Sequence, residues 1–173
     1  MNILFLDVDG VLNSKQYFLA TPKLSQSQLN SSSDPDLLSM KTYTNKNNMW
    51  CLGYLLENVP DLKIVISSAW RNCYSLESFR ELFKIYGLDG NRIIDKTSKR
   101  LSSIRANEIY MWLEDNKGIE KWIALDDHTI FELGDLDKAN EILTDNWVGL
   151  TMHETFKIIK HFNPDFKEPV IAI

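Results

Sequence analysis

Short, continuous apolar runs alternate along this chain with stretches in which apolar residues recur every three or four positions. Three runs, at residues 3–7, 62–66 and 120–125, have the continuous apolar character of strands that are covered on both faces of a parallel sheet. A short Arg-Ile-Ile within residues 88–95 predicts a further, minor strand. The pattern therefore predicts a sheet whose strands are separated by helices.

Helical spacing of apolar residues marks the connections between these strands. It covers residues 46–59, 75–87, a segment that begins at Arg105, and 152–162, with Thr151 as the cap of the last helix. Residues 142–144 and 147–150 are predicted to supply short terminal strands. Strand and helix thus alternate, which is typical of a doubly wound, Rossmann-like α/β fold with a mainly parallel sheet and helices on both faces. No repeat or linker interrupts residues 1–173, which predicts a single domain.

The segment at residues 14–48 departs from this pattern. It is rich in Ser, Asn, Lys, Thr and Gln, and Pro22 and Pro35 interrupt it. Because it lacks a sustained helical or alternating pattern, we predict a small insertion after the first strand with little core of its own.

Composition narrows the class of protein. With 44% hydrophobic and 25% charged residues in 173, the chain is typical of one water-soluble globular domain. A net charge of −5 excludes a broad basic surface for nucleic acid, although local basic clusters remain possible. No apolar run is long enough to span a bilayer, and the acids at positions 7 and 9 interrupt the apolar region that a signal peptide needs. We expect a cytoplasmic protein.

Two of the predicted strands end in pairs of carboxylates. Asp7 and Asp9 end the first, and Asp126 and Asp127 follow the strand at 120–125. The carboxyl ends of parallel strands meet at one edge of an open α/β sheet, where ligands bind. Acids this close repel each other unless a shared proton or a hard cation such as Mg²⁺ relieves them. The pairs predict a metal site, a nucleophile with an acid/base partner, or both.

Hydroxyl and basic residues follow the second strand. Ser67 and Ser68 end it, and a serine here can either donate to a phosphoryl oxygen or cap the next helix. Arg71 adds a guanidinium that can fork onto a phosphate. Further cations follow at Lys96, Lys99, Arg100 and Arg105. A solvated surface is the alternative reading of that basic cluster.

The stretch Phe-Leu-Asp-Val-Asp-Gly-Val-Leu-Asn, residues 5–13, resembles the opening motif of the haloacid dehalogenase-like (HAD) phosphohydrolases, an apolar strand followed by Asp-x-Asp-Gly. The first aspartate of that motif is the nucleophile, so the resemblance implies that Asp7 attacks a phosphoryl group and becomes an aspartyl phosphate. The second is the general acid/base, so Asp9 is expected to protonate the leaving oxygen and later to activate water. The resemblance also implies that the insertion after the first strand is a flap or cap that governs substrate choice.

The second and third motifs of the family match positions further along the chain. Ser67 matches the Ser or Thr at the end of the second strand. Arg105 fits best as the cation of the third motif, where Lys is commoner, and Lys99 and Arg100 are the alternatives.

The fourth motif matches the pair Asp126 and Asp127. The resemblance implies that Mg²⁺ bridges Asp7, the backbone carbonyl of Asp9, and Asp127. Asp126 is then expected to bond the cation of the third motif, although the sequence leaves the order of these two acids open.

These matches predict a Mg²⁺-dependent phosphomonoesterase. The run Ser-Ser-x-Trp-Arg is similar to a subgroup linked to RNA-repair and phage-type proteins, which favours a nucleotide or a nucleic-acid terminal phosphate as substrate. Gly10, Ser68, Trp70 and Arg71 are the predicted substrate-binding residues, with Trp70 stacking on a base and Arg71 pairing with a further phosphate. Sugar phosphates and phosphoproteins remain alternative substrates, and a module that binds a phosphorylated ligand without catalysis is the alternative function.

Overall fold

The sheet has five strands, all parallel, in a computed structural model that describes residues 1–98, 104–132 and 136–169. The strands are β1 (Asn2–Leu6), β2 (Leu62–Ile66), β3 (Ile93–Lys96), β4 (Lys121–Asp126) and β5 (Glu141–Leu143). Their order across the sheet is β3-β2-β1-β4-β5. The predicted α/β fold with a parallel sheet is therefore confirmed.

Helices cover both faces of this sheet. They are α1 (Lys15–Ala20), α2 (Gln26–Ser31), α3 (Pro35–Tyr43), α4 (Lys46–Asn58), α5 (Leu76–Ile85), α6 (Arg105–Asp115) and α7 (Met152–Phe162). Successive side chains of β1 point to opposite faces, so Leu4 and Leu6 pack in one core with α4, α5 and α7, while Ile3 and Phe5 pack in another with α6. Among the described residues, no helix combines the length and the apolar character that crossing a bilayer requires.

One predicted strand is absent. Residues 147–150 form a turn instead, closed by a bridge between Asp145 and Gly149. The Asp145 carboxylate accepts the backbone N–H of Trp147 at 2.7 Å, and Gly149 has a φ of +74°. An aspartate that bonds the backbone two residues on, with a glycine in the left-handed region, favours a turn over an extended strand in spite of the apolar residues between them.

The polar insertion predicted after β1 contains the three short helices α1, α2 and α3. The helices α1 and α2 bury no residue, which explains why they show no apolar stripe. Local capping favours them instead, as in α2, where Ser25 and Gln28 form a reciprocal capping box. In α3, Asp34 caps the helix and Pro35 occupies its first turn. One residue of α3, Met40, is buried in the main core and ties the insertion to the domain.

The register of the strands aligns their carboxyl ends. Leu6 of β1 lies between Ile66 of β2 and Leu125 of β4. The backbone N–H of Asp7 donates to Leu125 at 3.0 Å, and the N–H of Ser67 donates to Leu6 at 2.8 Å. The order of strands reverses beside β1, where open α/β sheets form their binding crevice.

Candidate active site

The guanidinium of Arg105 lies between the first and the last acidic motif. Nη1 of Arg105, in the first turn of α6, is 3.5 Å from Oδ1 of Asp7 and 3.3 Å from Oδ2 of Asp126. Burial raises the pKa of Asp7 from 3.8 to about 7, and the neighbouring charge of Asp126 acts in the same direction. Arg105 opposes this rise in the pKa, as do hydrogen bonds from the Ser68 hydroxyl and the Val8 N–H. Asp7 therefore lies where its negative charge is only partly compensated.

Asp126 has a similar environment. Burial raises its pKa, Arg105 and the backbone N–H of His128 lower it, and Asp127 raises it further. That N–H donates to Oδ1 of Asp126 at 2.9 Å. Arg105 Nη1 lies within ion-pair distance of both acids, yet it is buried and has no partner in hydrogen-bond geometry among the described residues. Its donors are thus available to a further anion.

Gly10 makes room for Asp127. Gly10 has a φ of +70°, and a Cβ added there would lie 2.4 Å from Cγ of Asp127. The Thr144 hydroxyl at the end of β5 donates to the Gly10 carbonyl at 2.8 Å and fixes the loop. The loop after β1 can therefore approach the Asp127 carboxylate only because residue 10 lacks a side chain. Gly10 thus brings the backbone close to the Asp127 side chain, and it also lines the cleft beside Asp9.

Asp9 is exposed above this buried layer. Nδ2 of Asn13 donates to its Oδ1 at 2.9 Å, and Nε1 of Trp70 lies 3.0 Å from each of its carboxylate oxygens. The indole packs on Tyr74 with ring centroids 5.3 Å apart. Trp70, predicted to stack on a base, thus has its indole N–H bonded to the expected general acid/base.

The two serines after β2 differ in their partners. Ser68 Oγ accepts the backbone N–H of Trp70 at 3.3 Å, so Ser68 caps the short 3-10 helix Ala69–Asn72. Ser67 is buried, and its hydroxyl has no hydrogen-bond partner among the described residues. Because a buried hydroxyl without a partner is costly, the Ser67 Oγ suits a site that an added acceptor completes.

Arg71 is buried and turned away from the cleft. Its Nη1 donates to the Ser68 carbonyl at 2.7 Å, and its Nη2 donates to Oε2 of Glu108 on α6 at 2.6 Å. Burial lowers the pKa of Arg71, and Glu108 opposes that effect. The structure therefore does not bring Arg71 to the surface on which a substrate would lie.

The remaining candidate cations differ in location. Lys99 and Arg100 lie outside the described residues. Nζ of Lys96 donates to two backbone carbonyls of the segment after β2, each at 2.9 Å. Of the described cations from that cluster, Arg105 is the one beside the acidic pairs.

Two residues near the site were not predicted. Asn13, which bonds Asp9, occupies the end of the quoted opening stretch, but a polar residue in a loop gave no reason to single it out. Glu108, which pairs with Arg71, gave a usable signal: it lies four residues before Trp112, on the core-facing side of α6. An acid on an apolar helix face predicts a buried partner.

The donor set fits a hard divalent cation. The Arg105 guanidinium lies beside Asp7 and Asp126, two of the four carboxylates, and the pKa values of both acids are raised. Ligand atoms of Asp126, Asp127 and His128 lie within 4.8 Å of one another. His128 is exposed, its Nδ1 is 2.6 Å from Oδ1 of Asp127, and this contact raises the pKa of His128. Since Mg²⁺ prefers oxygen, the carboxylates match it better than the imidazole does.

Comparisons with known proteins place the chain in a family. No curated protein and no solved structure gives a significant match. The profile of one protein family, described as the HAD domain in Swiss Army Knife RNA repair proteins, matches residues 3–155. This match spans most of the chain and includes β1, β2, α6 and β4, which carry the acidic pairs, the serines and Arg105. The chain therefore belongs to the family of HAD domains found in Swiss Army Knife RNA repair proteins.

Proposed function

We propose that the protein is a Mg²⁺-dependent phosphomonoesterase that forms an aspartyl phosphate on Asp7. Its membership of a HAD family supports phosphoester hydrolysis in general. The observation that carries the proposal is the position of Asp7, buried beside the Arg105 guanidinium and below the exposed Asp9. A nucleophile, a cation for phosphoryl oxygens and an acid/base are thus grouped at one edge of the sheet.

The reaction has two displacements. An oxygen of Asp7 bonds to phosphorus while the bond from phosphorus to the leaving oxygen breaks, and Asp9 gives that oxygen its proton. Asp9 then takes a proton from a water molecule whose oxygen attacks the same phosphorus. The bond from phosphorus to Asp7 breaks, which frees the carboxylate and releases inorganic phosphate.

Donors and a metal would stabilise the transferred group. Arg105 Nη1 and the Ser67 hydroxyl, both buried and without hydrogen-bond partners among the described residues, suit phosphoryl oxygens. Asp7, Asp127 and the backbone carbonyl of Asp9 are the proposed holders of Mg²⁺. When bound, the ion neutralises negative charge on the phosphoryl oxygens.

The proposed substrate is a nucleotide or a phosphorylated nucleic-acid end. The occurrence of this family of domains in RNA repair proteins supports it. The exposure of Asp9 also supports it, because the leaving group of a large substrate can reach the acid without a change in the fold.

Phosphate release tests this function. The protein is expected to release phosphate from an aryl phosphate, from nucleotides, and from 3′- or 5′-phosphorylated oligonucleotides, and to lose this activity when Mg²⁺ is chelated. Asp127→Ala should need a higher Mg²⁺ concentration for half-maximal rate, whereas Asp126→Ala should act more through Arg105. Release that is unaffected by chelation would refute the metal dependence, and tight binding of phosphorylated ligands without release would favour the binding module.

Trp70→Phe should slow turnover selectively. The change keeps an aromatic ring but removes the N–H that bonds Asp9, so Asp9 loses one of its two donors. We expect kcat to fall about ten- to a hundredfold on nucleotides, since a charged hydrogen bond contributes roughly 1.5–3 kcal/mol. An aryl phosphate with a good leaving group should lose much less, because its leaving oxygen needs little protonation. Steady-state kinetics on both substrates measure this difference.

Trp50→Phe is the matched control for that variant. Trp50 is an exposed tryptophan of α4 that contacts Tyr54 and lies outside the candidate site. It should leave both rates unchanged. Equal losses on the two substrates in Trp70→Phe would assign Trp70 to packing and not to the orientation of Asp9.

A further inference from the structure

A cleft of about 250 Å³ opens beside Asp9. Asp9 and Asp127 contribute to its lining from the edge of the sheet, and Lys15, Phe18 and Asn146 contribute from the surrounding loops and from α1. In the proposed reaction Asp9 protonates the leaving oxygen. The part of the substrate that carries this oxygen must therefore lie on the exposed side of Asp9, where the cleft is.

The wall that α1 contributes is held in position. The backbone N–H of Lys15 donates to the Asn146 carbonyl at 2.8 Å, and the N–H of Gln16 donates to the Trp147 carbonyl at 3.1 Å. The ring of Phe18 packs on Tyr43 of α3, with ring centroids 5.3 Å apart and planes at 45°. These contacts orient α1 before any substrate is bound.

The side chains on this wall are unusual for a surface helix. Phe18 is 44% exposed although it is a large aromatic residue. Lys15 is exposed, and no ion pair engages it among the described residues, in a protein whose net charge is −5. An exposed aromatic ring next to an unpaired cation is the combination that single-stranded nucleic acids contact, through stacking of a base and pairing of a phosphate.

We propose that this cleft is the subsite for the leaving group, and that it accepts the terminal nucleoside of a polynucleotide, with its base on Phe18 and the adjacent phosphodiester at Lys15. This assignment rests on the proposed phosphatase function and adds to it the residues that bind the leaving group of the substrate. It replaces Trp70 and Arg71 in that role, because Trp70 bonds Asp9 and Arg71 bonds Glu108.

Kinetics on three substrates test the subsite. Glycerol phosphate has no base, a nucleoside monophosphate has a base but no diester, and a phosphorylated trinucleotide has both. Phe18→Ala should raise KM by roughly tenfold or more for the nucleotide and the trinucleotide, from the loss of one stacking contact, and leave glycerol phosphate unchanged. Lys15→Gln should raise KM for the trinucleotide alone and weaken the dependence of that KM on salt.

Two neighbouring variants are the controls. Leu19→Ala removes a side chain that is 65% exposed on the same helix, and Lys23→Gln removes an exposed cation just beyond it. Neither residue lines the cleft, so both variants should match the wild type on all three substrates. An equal rise in KM on glycerol phosphate and the nucleotide in Phe18→Ala, or no rise on either, would overturn the proposal.

A binding measurement separates this proposal from the reaction. Fluorescence anisotropy of a labelled, phosphorylated trinucleotide can be followed in an Asp7→Asn background, where no turnover is expected. Weaker binding on adding Phe18→Ala, together with no phosphate release by the wild type, would reject the phosphatase and retain the subsite. Unchanged binding would reject the subsite, whatever the wild type hydrolyses.

Discussion

Asp7→Asn is expected to abolish turnover and to stabilise the metal-free protein above neutral pH. The amide cannot form the aspartyl phosphate, so kcat on an aryl phosphate should fall by at least about a thousandfold. The change is nearly isosteric, so the hydrogen bond from the backbone N–H of residue 7 to the Leu125 carbonyl should remain. Phosphate release with Mg²⁺ present measures the loss, and Asp165→Asn, which replaces an exposed carboxylate outside the site, should retain full activity.

The effect on stability follows from the pKa of Asp7, which burial and Asp126 raise from 3.8 to about 7 in the folded protein. An acid whose pKa is higher in the folded than in the unfolded protein stabilises the folded state. This contribution is fully present at a pH below the pKa in the unfolded protein, and it is lost as the pH rises through the pKa in the folded protein. The loss between about pH 4 and pH 8 amounts to at most about 4 kcal/mol. An asparagine carries no charge, so it does not lose stability in this way as the pH rises.

Urea unfolding in the presence of a chelator measures this difference. The free energy of unfolding of Asp7→Asn should equal that of the wild type near pH 4 and exceed it at pH 8. Retention of most activity would exclude Asp7 as the nucleophile, and a loss of stability at pH 8 would contradict the uncompensated charge.

Glu108→Ala is expected to lower the free energy of unfolding by about 3–5 kcal/mol. The Glu108 and Arg71 side chains are 2% and 5% exposed, and their atoms are 2.6 Å apart. Removing the carboxylate leaves the Arg71 guanidinium buried, with the Ser68 carbonyl as its one remaining hydrogen-bond acceptor among the described residues. A buried charge without its counterion costs far more than the pair contributes, and chemical denaturation of the variant measures that cost.

The pair of Glu81 and Lys84 provides the matched control. It also joins a glutamate to a cation on a helix, with its atoms 2.5 Å apart, but its side chains are 43% and 53% exposed. Glu81→Ala should therefore cost less than about 1 kcal/mol. Replacing both buried partners, in Arg71→Met with Glu108→Leu, should recover most of the loss. Similar losses of unfolding free energy in Glu108→Ala and Glu81→Ala would show that burial does not raise the cost of breaking the pair.

The larger elements of the fold could be predicted because burial determines where apolar residues recur along the sequence. The continuous apolar runs of β1, β2 and β4 and the apolar stripe of α5 follow from where their side chains pack. The helices α1 and α2 could not be found in this way, because they bury nothing and depend on caps. The turn at residues 147–150 was missed because its apolar residues suggested a strand, whereas Asp145 and Gly149 determine its backbone.

The candidate site was predictable where it depends on the sheet alone. Parallel strands end at one edge, so Asp7, Ser67 and Asp126 were expected to lie together, and the register places them there. The directions of Trp70 and Arg71 were not predictable, since both lie on the short 3-10 helix after β2. That helix turns one side chain to Asp9 and the other to Glu108, a partner 37 residues away.

The central position of β1 has a consequence for synthesis of the protein. The strand β1, which precedes Asp7 and Asp9, is made before both of its neighbours in the sheet, β2 and β4. The hydroxyl that fixes the Gly10 carbonyl belongs to a residue 134 positions further on. Because contacts so distant in sequence form late, Asp7 lacks the neighbouring groups of the folded site until β4 and β5 have been made. The proposed phosphatase activity should therefore begin only after β4 and β5 have been made.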